Sequence, residues 1–478
     1  MHIARWCSLL LCLLASPAMG QQPNILFIAV DDLRPQLACY GDRVAITPHT
    51  DRLAQRGVVF NRAYCQQAVC APSRASVLTG RRPDATRVWD LKTHFRAALP
   101  HAITLPQYFK VHGYEARSVG KIYHDPANAQ DRISWSAPEV MAVTGHAGPK
   151  YVRSENLAGG TSWKAAATEC ADVPDSAYVD GKVADAAVQL LRELKDTAFF
   201  LAVGFRRPHL PFSAPKRYWD LYQTDAIPLP WPDRAPLGAP AIALHTGVEL
   251  RGYTDMPDAG PLPPGSIREL RHGYYAGISY IDAQIGKLLD ELERLGLLQN
   301  TLIVLWSDHG FHLGELGLWC KTTNFETDTR VPLIISSPLL ENKAAHSDAL
   351  VELVDIYPTL LELAGLPIPD DLDGTSMAPL IAEPGRDWKK AAFSQFPRPW
   401  MYKAKPEVMG YSVRIRDYRY TEWRNMDSGV VVDSELYHYG ADDIEHRNLA
   451  GNPDFRATEK SMKQLLDGGW KQALPSDN

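Results

Sequence analysis

The 478-residue chain has no surplus of positive charge: 50 Lys and Arg face 56 Asp and Glu, for a formal net charge of −6. Composition therefore excludes a basic nucleic-acid binder, and a polyanionic substrate would have to be met by a local basic pocket. Cysteine is scarce, with seven in all. Cys7 and Cys12 fall in the first twenty residues, leaving Cys39, Cys65, Cys70, Cys170 and Cys320, an odd set at irregular spacing and a poor disulfide framework. No pair has zinc-ligand spacing, since no histidine cluster lies near Cys65 and Cys70. Beyond the N-terminal region no apolar run is long enough to cross a bilayer, and there is no internal repeat or low-complexity tract.

The N-terminal residues do carry a pattern. A basic start (His2, Arg5) precedes an apolar run from Cys7 to Ala15, and Ala18 and Gly20 flank Met19 just before Gln21 and Gln22. This is the layout of a secretory signal, too short for a membrane span. A retained N-terminal anchor is the competing reading. A lipoprotein start at Cys12 is disfavoured by Leu11, where a small residue is wanted. The expected mature chain is soluble and exported, to a periplasm, the medium or a lysosome-like lumen.

With 45% hydrophobic residues, a chain of this length can bury a large core and a second, smaller one. Asn24 to Val30 is a nearly continuous apolar run, as in a strand buried on both faces of a parallel sheet. Helical periodicity from Gly181 to Lys195 leads into a strand-like stretch, Thr197 to Phe205. Ile281 to Leu292 then leads into Thr301 to Trp306, and Val331 to Ser336 precedes a helix around Val354 to Ala364. Alternating strands and helices predict an α/β domain with a mainly parallel sheet. The stretches Ala137 to Thr161 and Pro228 to Gly265 read as long, potentially functional loops. After Pro397 to Pro406, two alternating segments and a polar helix from Pro453 predict a small α+β subdomain. The expected division is a signal over 1–20, a large domain over 21–400 and a small one over 401–478.

Chemistry-bearing residues gather at strand ends, where open α/β sheets build their sites. The first apolar run ends at Asp31 and Asp32, and the run from Thr301 ends at Asp308 and His309. Carboxylates converging there call for a cation, and oxygen ligands favour Ca2+ or Mg2+. Helix N-caps following strands are the other reading of these acids.

Cys70-Ala71-Pro72-Ser73-Arg74 followed by Leu78-Thr79-Gly80 resembles the C-x-P-S-R signature of type I sulfatases. Further segments resemble iduronate-2-sulfatases: Asp31 to Pro35, Cys39 to Asp42, Gly120-Lys121-x-x-His124, Pro208-His209-x-Pro211-Phe212, Ser307 to Gly310, and Trp319-x-Lys321-x-x-Asn324-Phe325. So do C-terminal runs from Ser394, Met409 and Asp417. The resemblance implies an alkaline-phosphatase-like large domain, a divalent metal with Ca2+ preferred over Mg2+, and a Cys70 that a maturase oxidises to formylglycine. The hydrated aldehyde has two hydroxyls on one carbon. One attacks sulfur and the other then lets sulfate leave, a second step a serine cannot perform.

By the same resemblance, Asp31, Asp32, Asp308 and His309 hold the metal with modified Cys70. Arg74 fixes the aldehyde hydrate, Lys121 and Lys321 hold sulfate oxygens, His124 assists the hydrate hydroxyl, and His209 protonates the leaving sugar oxygen. Where the family has His-Lys before Pro-His, this chain has Arg206-Arg207, and the residues between Trp319 and Asn324 also differ. His94, Arg96 and Arg207 are candidate contacts for a uronate carboxylate or a second sulfate. The expected partner is a sulfated oligo- or polysaccharide, desulfated from its end. A sulfatase for another glycan or a small ester, a phosphoester hydrolase, and a non-catalytic glycan binder are the alternatives.

Overall fold

In the computed structural model, which describes residues 22–124, 130–140, 150–158, 164–338, 344–440 and 442–475, the run Asn24–Val30 forms a strand with all seven residues buried. The proposed signal segment lies outside the described residues, as does part of the loop from Ala137 to Thr161. The main sheet has eight strands. They are β1 (Asn24–Val30), β2 (Gly57–Tyr64), β3 (Glu115–Gly120), β4 (Phe199–Phe205), β5 (Thr301–Ser307), β6 (Arg330–Val331), β7 (Leu333–Ser336) and β8 (Ala345–Glu352). β5, β1, β4 and β3 lie side by side and parallel, with β1 central.

The pleat explains the continuous apolar runs. In β1, Leu26, Ile28 and Val30 enter one core, and Ile25, Phe27 and Ala29 enter the other. The first core is roofed by α3 (Val179–Leu194) and α4 (Pro264–Arg294). The second is roofed by α1 (Cys70–Thr79), α2 (Leu105–Val111) and α5 (Ile356–Leu363). The result is a helix–sheet–helix sandwich, as expected of the α/β reading.

Two elements differ from the sequence-based expectation. β7 runs antiparallel to both β5 and β2, and β8 intervenes before α5, so this stretch is not a third strand–helix repeat. α4 has 31 residues and starts well before Ile281. Its N-terminal half buries tyrosines whose hydroxyls bond into the strand-end loops, Tyr274 to Asp32 O (2.7 Å) and Tyr275 to Asp42 Oδ2 (3.3 Å). Aliphatic periodicity does not register such residues.

The C-terminal part is a four-stranded antiparallel sheet, Ala392–Arg398, Val408–Arg414, Tyr418–Asn425 and Val431–His438 in that order, backed by helix Arg456–Gly468. The pattern change at Pro397 to Pro406 marks the connection between its first two strands. A buried carboxylate joins this sheet to the large domain. Glu326 Oε2 accepts from Arg414 Nε (2.9 Å) and Arg419 Nη2 (2.8 Å), and Oε1 accepts from Tyr64 (2.9 Å).

Candidate active site

β1 and β5 pair in register, so their C-terminal ends deliver Asp31, Asp32, Asp308 and His309 to one place although the two pairs are far apart in sequence. Cross-bonds fix the junction: Asp32 N donates to Asp308 Oδ1 (3.3 Å) and Leu33 N to Ser307 Oγ (3.0 Å). Asp32 has φ 60°, a left-handed conformation that Asp tolerates better than most residues, and no helix follows it directly. The helix-cap reading of the acids therefore gives way to a cluster.

Cys70 opens α1, so its side chain stands at the positive dipole end of that helix. Its Sγ lies 3.4 Å from Asp31 Oδ1 and 3.3 Å from His309 Nε2. One turn on, Arg74 is buried, with Nε on Asp308 Oδ2 (2.7 Å), Nη2 near Asp31 Oδ1 (3.5 Å) and Nη1 on the carbonyls of Lys121 and Ile122.

Lys121 reaches the cluster because β3 ends in a glycine paired with another. A Cβ at Gly204 would sit 2.0 Å from Lys121 O, and one at Gly120 would sit 2.1 Å from Gly204 O. Lys121 Nζ bonds Asp31 Oδ2 and lies 3.6 Å from Cys70 Sγ. Lys321 is flanked by two non-glycine residues of positive φ, Cys320 (74°) and Thr322 (96°). Asp328, bonded to Thr323, and Arg398, bonded to Thr322 O (3.0 Å), hold that shape. Lys321 Nζ meets Asp32 Oδ2 at 3.0 Å and Glu249 Oε2 at 2.9 Å.

His209 Nδ1 faces Leu210 O (2.6 Å), and Nε2 faces Glu249 Oε1 (3.3 Å) and Asp32 Oδ2 (3.8 Å). Both nitrogens look at oxygen acceptors, so full hydrogen bonding needs an N–H on each. Burial, Lys321 and Lys121 oppose that charge and hold the imidazole well below its ordinary value, with Asp31 pulling the other way. His124 is likewise held well below the usual range by burial and Lys121.

The acids are strongly polarised. Burial opposes ionisation of Asp31, yet Lys121, His209 and Arg74 outweigh it and hold its carboxyl well below the usual range. Asp32 goes the other way: burial, with Asp31, Glu249 and Asp308, pushes it well above the ordinary value despite Lys321. The polypeptide's own cations leave Asp32 short of positive charge. Ligand atoms of Asp31, Asp32, Cys70 and His309 lie within 4.8 Å of one another. Burial and Lys321 favour a neutral His309, and its Nδ1 is engaged by Gly310 O (2.9 Å), which turns Nε2 to the cluster. An oxygen-rich donor set short of one cation fits a divalent ion such as Ca2+ or Mg2+.

The proposed sugar contacts fare differently. Arg96 is not at the cluster: its side chain is engaged by Asp131 (2.7 and 2.8 Å), the carbonyls of Pro100 and Ala102, and Gln107. It fastens its own loop. Arg207 is buried and braces the histidine loop by donating to Ser213 O, Ser213 Oγ and His209 O. Arg96 is thus taken up by the protein itself, whereas Arg207 Nη2 is buried with no hydrogen-bond partner among the described residues. His94 lines a cavity beside Arg74, Tyr123 and His124, with Nε2 3.2 Å from Gln130 O. Sequence reasoning missed Glu249. It matches no motif, and the one hint was the length of the loop that carries it.

A family model described as Sulfatase matches residues 23–366, and another, N-sulphoglucosamine sulphohydrolase, C-terminal, matches residues 314–472. The chain is 36% identical to iduronate 2-sulfatase of Mus musculus over 502 residues, covering 89% of this chain and 90% of that one. Among solved structures, the phosphonate monoester hydrolase of Agrobacterium radiobacter gives a TM-score of 0.79 at 24% identity, covering 95% of this chain and 96% of that one. A protein solved with its substrate D-glucosamine-2-N,6-O-disulfate gives 0.74 at 24% identity, covering 95% and 98%. At such identities the two structural likenesses speak for the fold alone.

Proposed function

The chain belongs to the sulfatase family and is a sulfuric ester hydrolase, and on that premise we propose that it removes sulfate from a uronate-containing glycan, using an aldehyde made from Cys70 beside a divalent cation. The observation that carries this reading is the meeting of Cys70 Sγ with Asp31 and His309 between two buried lysines. That arrangement suits a nucleophile facing an anionic ester.

Asp31, Asp32, Asp308 and His309 would hold the cation, whose chemistry is to favour the deprotonated nucleophile and absorb charge. The formylglycine aldehyde, once hydrated, would supply a hydroxyl nucleophile and a second hydroxyl on the same carbon. Lys121 and Lys321 hold the sulfate oxygens, whose charge grows toward the transition state. Arg74 locks Asp308 and the Lys121 carbonyl, keeping both sides of the site at fixed distance. His124, kept neutral, takes up a hydroxyl proton, and His209 hands one to the departing sugar oxygen. His94 remains the candidate for a sugar contact. No helix among the described residues is long and apolar enough to cross a membrane, in keeping with an exported protein that meets its glycan outside the cytosol. A sulfatase for a different glycan is the second reading, since the family similarity reaches the sulfate end of the site more firmly than the sugar end.

Three measurements test the proposal. Peptide mass around Cys70, from protein made with a maturase, should reveal the aldehyde; an intact thiol throughout would point to a glycan binder. Aryl sulfate should turn over far faster than aryl phosphate. Among defined disaccharides, a uronate sulfate should be desulfated, and exclusive activity on a hexosamine sulfate would replace the substrate assignment.

Removing the cation gives a separate prediction. Chelation should abolish turnover and lower the thermal midpoint, because Asp32 would again share a buried site with Asp31 and Asp308 without its counter-charge. Ca2+ should restore both better than Mg2+. Full activity after exhaustive chelation, with no metal detected, would remove the cation from the proposal.

A further inference from the structure

Glu249 lies on the four-residue helix Val248–Arg251, inside the long loop between Pro228 and Gly265. The helix is pinned: Leu250 is buried, Gly247 N donates to His245 Nδ1 (3.0 Å), and Lys164 Nζ donates to the Glu249 carbonyl (3.0 Å). The pinned helix sets the Glu249 carboxylate between His209 Nε2 (3.3 Å) and Lys321 Nζ (2.9 and 3.2 Å). His209 is thereby held at both nitrogens, by Leu210 O on one side and Glu249 on the other.

Asp32, His209 and Glu249 also stand at distances compatible with a second metal ion. Lys321 argues against that use, because its ammonium already bonds both carboxylates, and a second divalent ion between them would be set against that charge.

Resting on the reading of His209 given above, we infer that Glu249 is a positioning residue that fixes His209 and Lys321 against the ester, and that the site so completed is built for sulfate esters of sugar alcohols rather than of phenols. When the S–O bond breaks, its electron pair goes to the leaving oxygen. A nitrophenolate carries that charge unaided. A sugar alkoxide does not, so a proton must reach it as the bond breaks: the imidazolium of His209, which an acceptor at each nitrogen calls for against burial and the two lysines, gives the leaving oxygen the Nε2 proton it shares with Glu249, and solvent later returns one to the neutral ring. A ring free to swing would fail the sugar ester and largely spare the nitrophenyl ester.

The test uses matured full-length protein with two substrates, 4-nitrophenyl sulfate and a 2-sulfated uronate disaccharide. Glu249→Gln should lower kcat on both, through loss of the Lys321 anchor, and by at least about tenfold more on the disaccharide. Glu249→Asp, which keeps the charge, should recover part of that difference. Bound metal per chain should be unchanged. Equal losses on the two substrates, or loss of metal in Glu249→Gln, would overturn the inference. His209→Ala is the control: if it too fails to separate the substrates, the error lies in the role of His209. If it separates them and Glu249→Gln does not, the error lies in Glu249.

Discussion

Cys70→Ser protein is expected to turn over more than about a thousandfold more slowly than wild type, a loss of ~4 kcal/mol of transition-state stabilisation, and to carry one covalent sulfate after one exposure to substrate. The geometry gives the reason. A serine oxygen would occupy the space of Sγ, 3.4 Å from Asp31 and 3.6 Å from Lys121, so the anchors for the sulfate group remain. Attack at sulfur is then feasible, but the product is an ordinary alkyl sulfate on a side chain with no second hydroxyl at that carbon. Water would have to attack sulfur directly, in a space already filled by Arg74, two lysines and the acids. Intact-protein mass before and after substrate, alongside steady-state rates, reads both halves of the prediction. Repeated turnover by this variant near the wild-type rate would leave no role for the aldehyde.

Glu326→Ala is expected to destabilise the protein by ~3–5 kcal/mol, the usual cost of removing one partner from a buried ion pair. Glu326 is 3% exposed, and the two arginines it binds are each 1% exposed, so deletion leaves both charges buried among neutral hydrogen-bond partners, their other carboxylate contacts being the longer ones to Asp443 (3.4 Å) and Glu445 (3.8 Å). Activity should fall with stability, because residues 326–329 follow directly on the segment that presents Lys321. The same group predicts a pH dependence. Burial opposes its ionisation, but Arg414, Arg419 and Arg330 prevail and bring its carboxyl down to about 2. A folded value below the unfolded one, ~4.3, means the stabilisation is complete above pH ~4.3. It fades as pH falls from there through about 2. The stability gap between wild type and Glu326→Gln, from urea midpoints, should therefore narrow across that interval. A gap constant from pH 6 to pH 2 would show that the carboxylate charge is not what holds the two sheets together.

Much of this architecture was legible in the chain because burial on both faces of a parallel strand leaves an unbroken apolar run. Asn24 to Val30 and Thr301 to Trp306 could be read directly, and the acids at their ends followed. The order of strands was harder. β7 is as apolar as its parallel neighbours, so nothing in its composition records that it runs the other way. The N-terminal half of α4 escaped notice because it packs through tyrosines that are buried by their rings and tied down by their hydroxyls. At the site, the polar groups next to the acids were identified by their place in segments resembling known sulfatases. Glu249 belongs to no such segment, and its meaning comes entirely from where a Pro- and Gly-rich loop happens to fold. Arg96 misled for the opposite reason: a guanidinium suits a carboxylate of the substrate or of the protein itself equally well, and only coordinates reveal that its partner is Asp131.

The seat of Cys70 also sets an order of events in the protein's life. Its thiol is 2% exposed, beneath the first turn of α1, and enclosed by acids carried on strands whose pairing spans most of the polypeptide. Burial and the neighbouring Asp31 push its pKa well above that of a free thiol, which leaves almost no reactive thiolate. On the proposed conversion of Cys70, an oxidising enzyme would therefore have to reach this sulfur while the polypeptide is still open, before β5 docks onto β1. Once shut, an unconverted molecule is sealed in its inert form for as long as it stays folded.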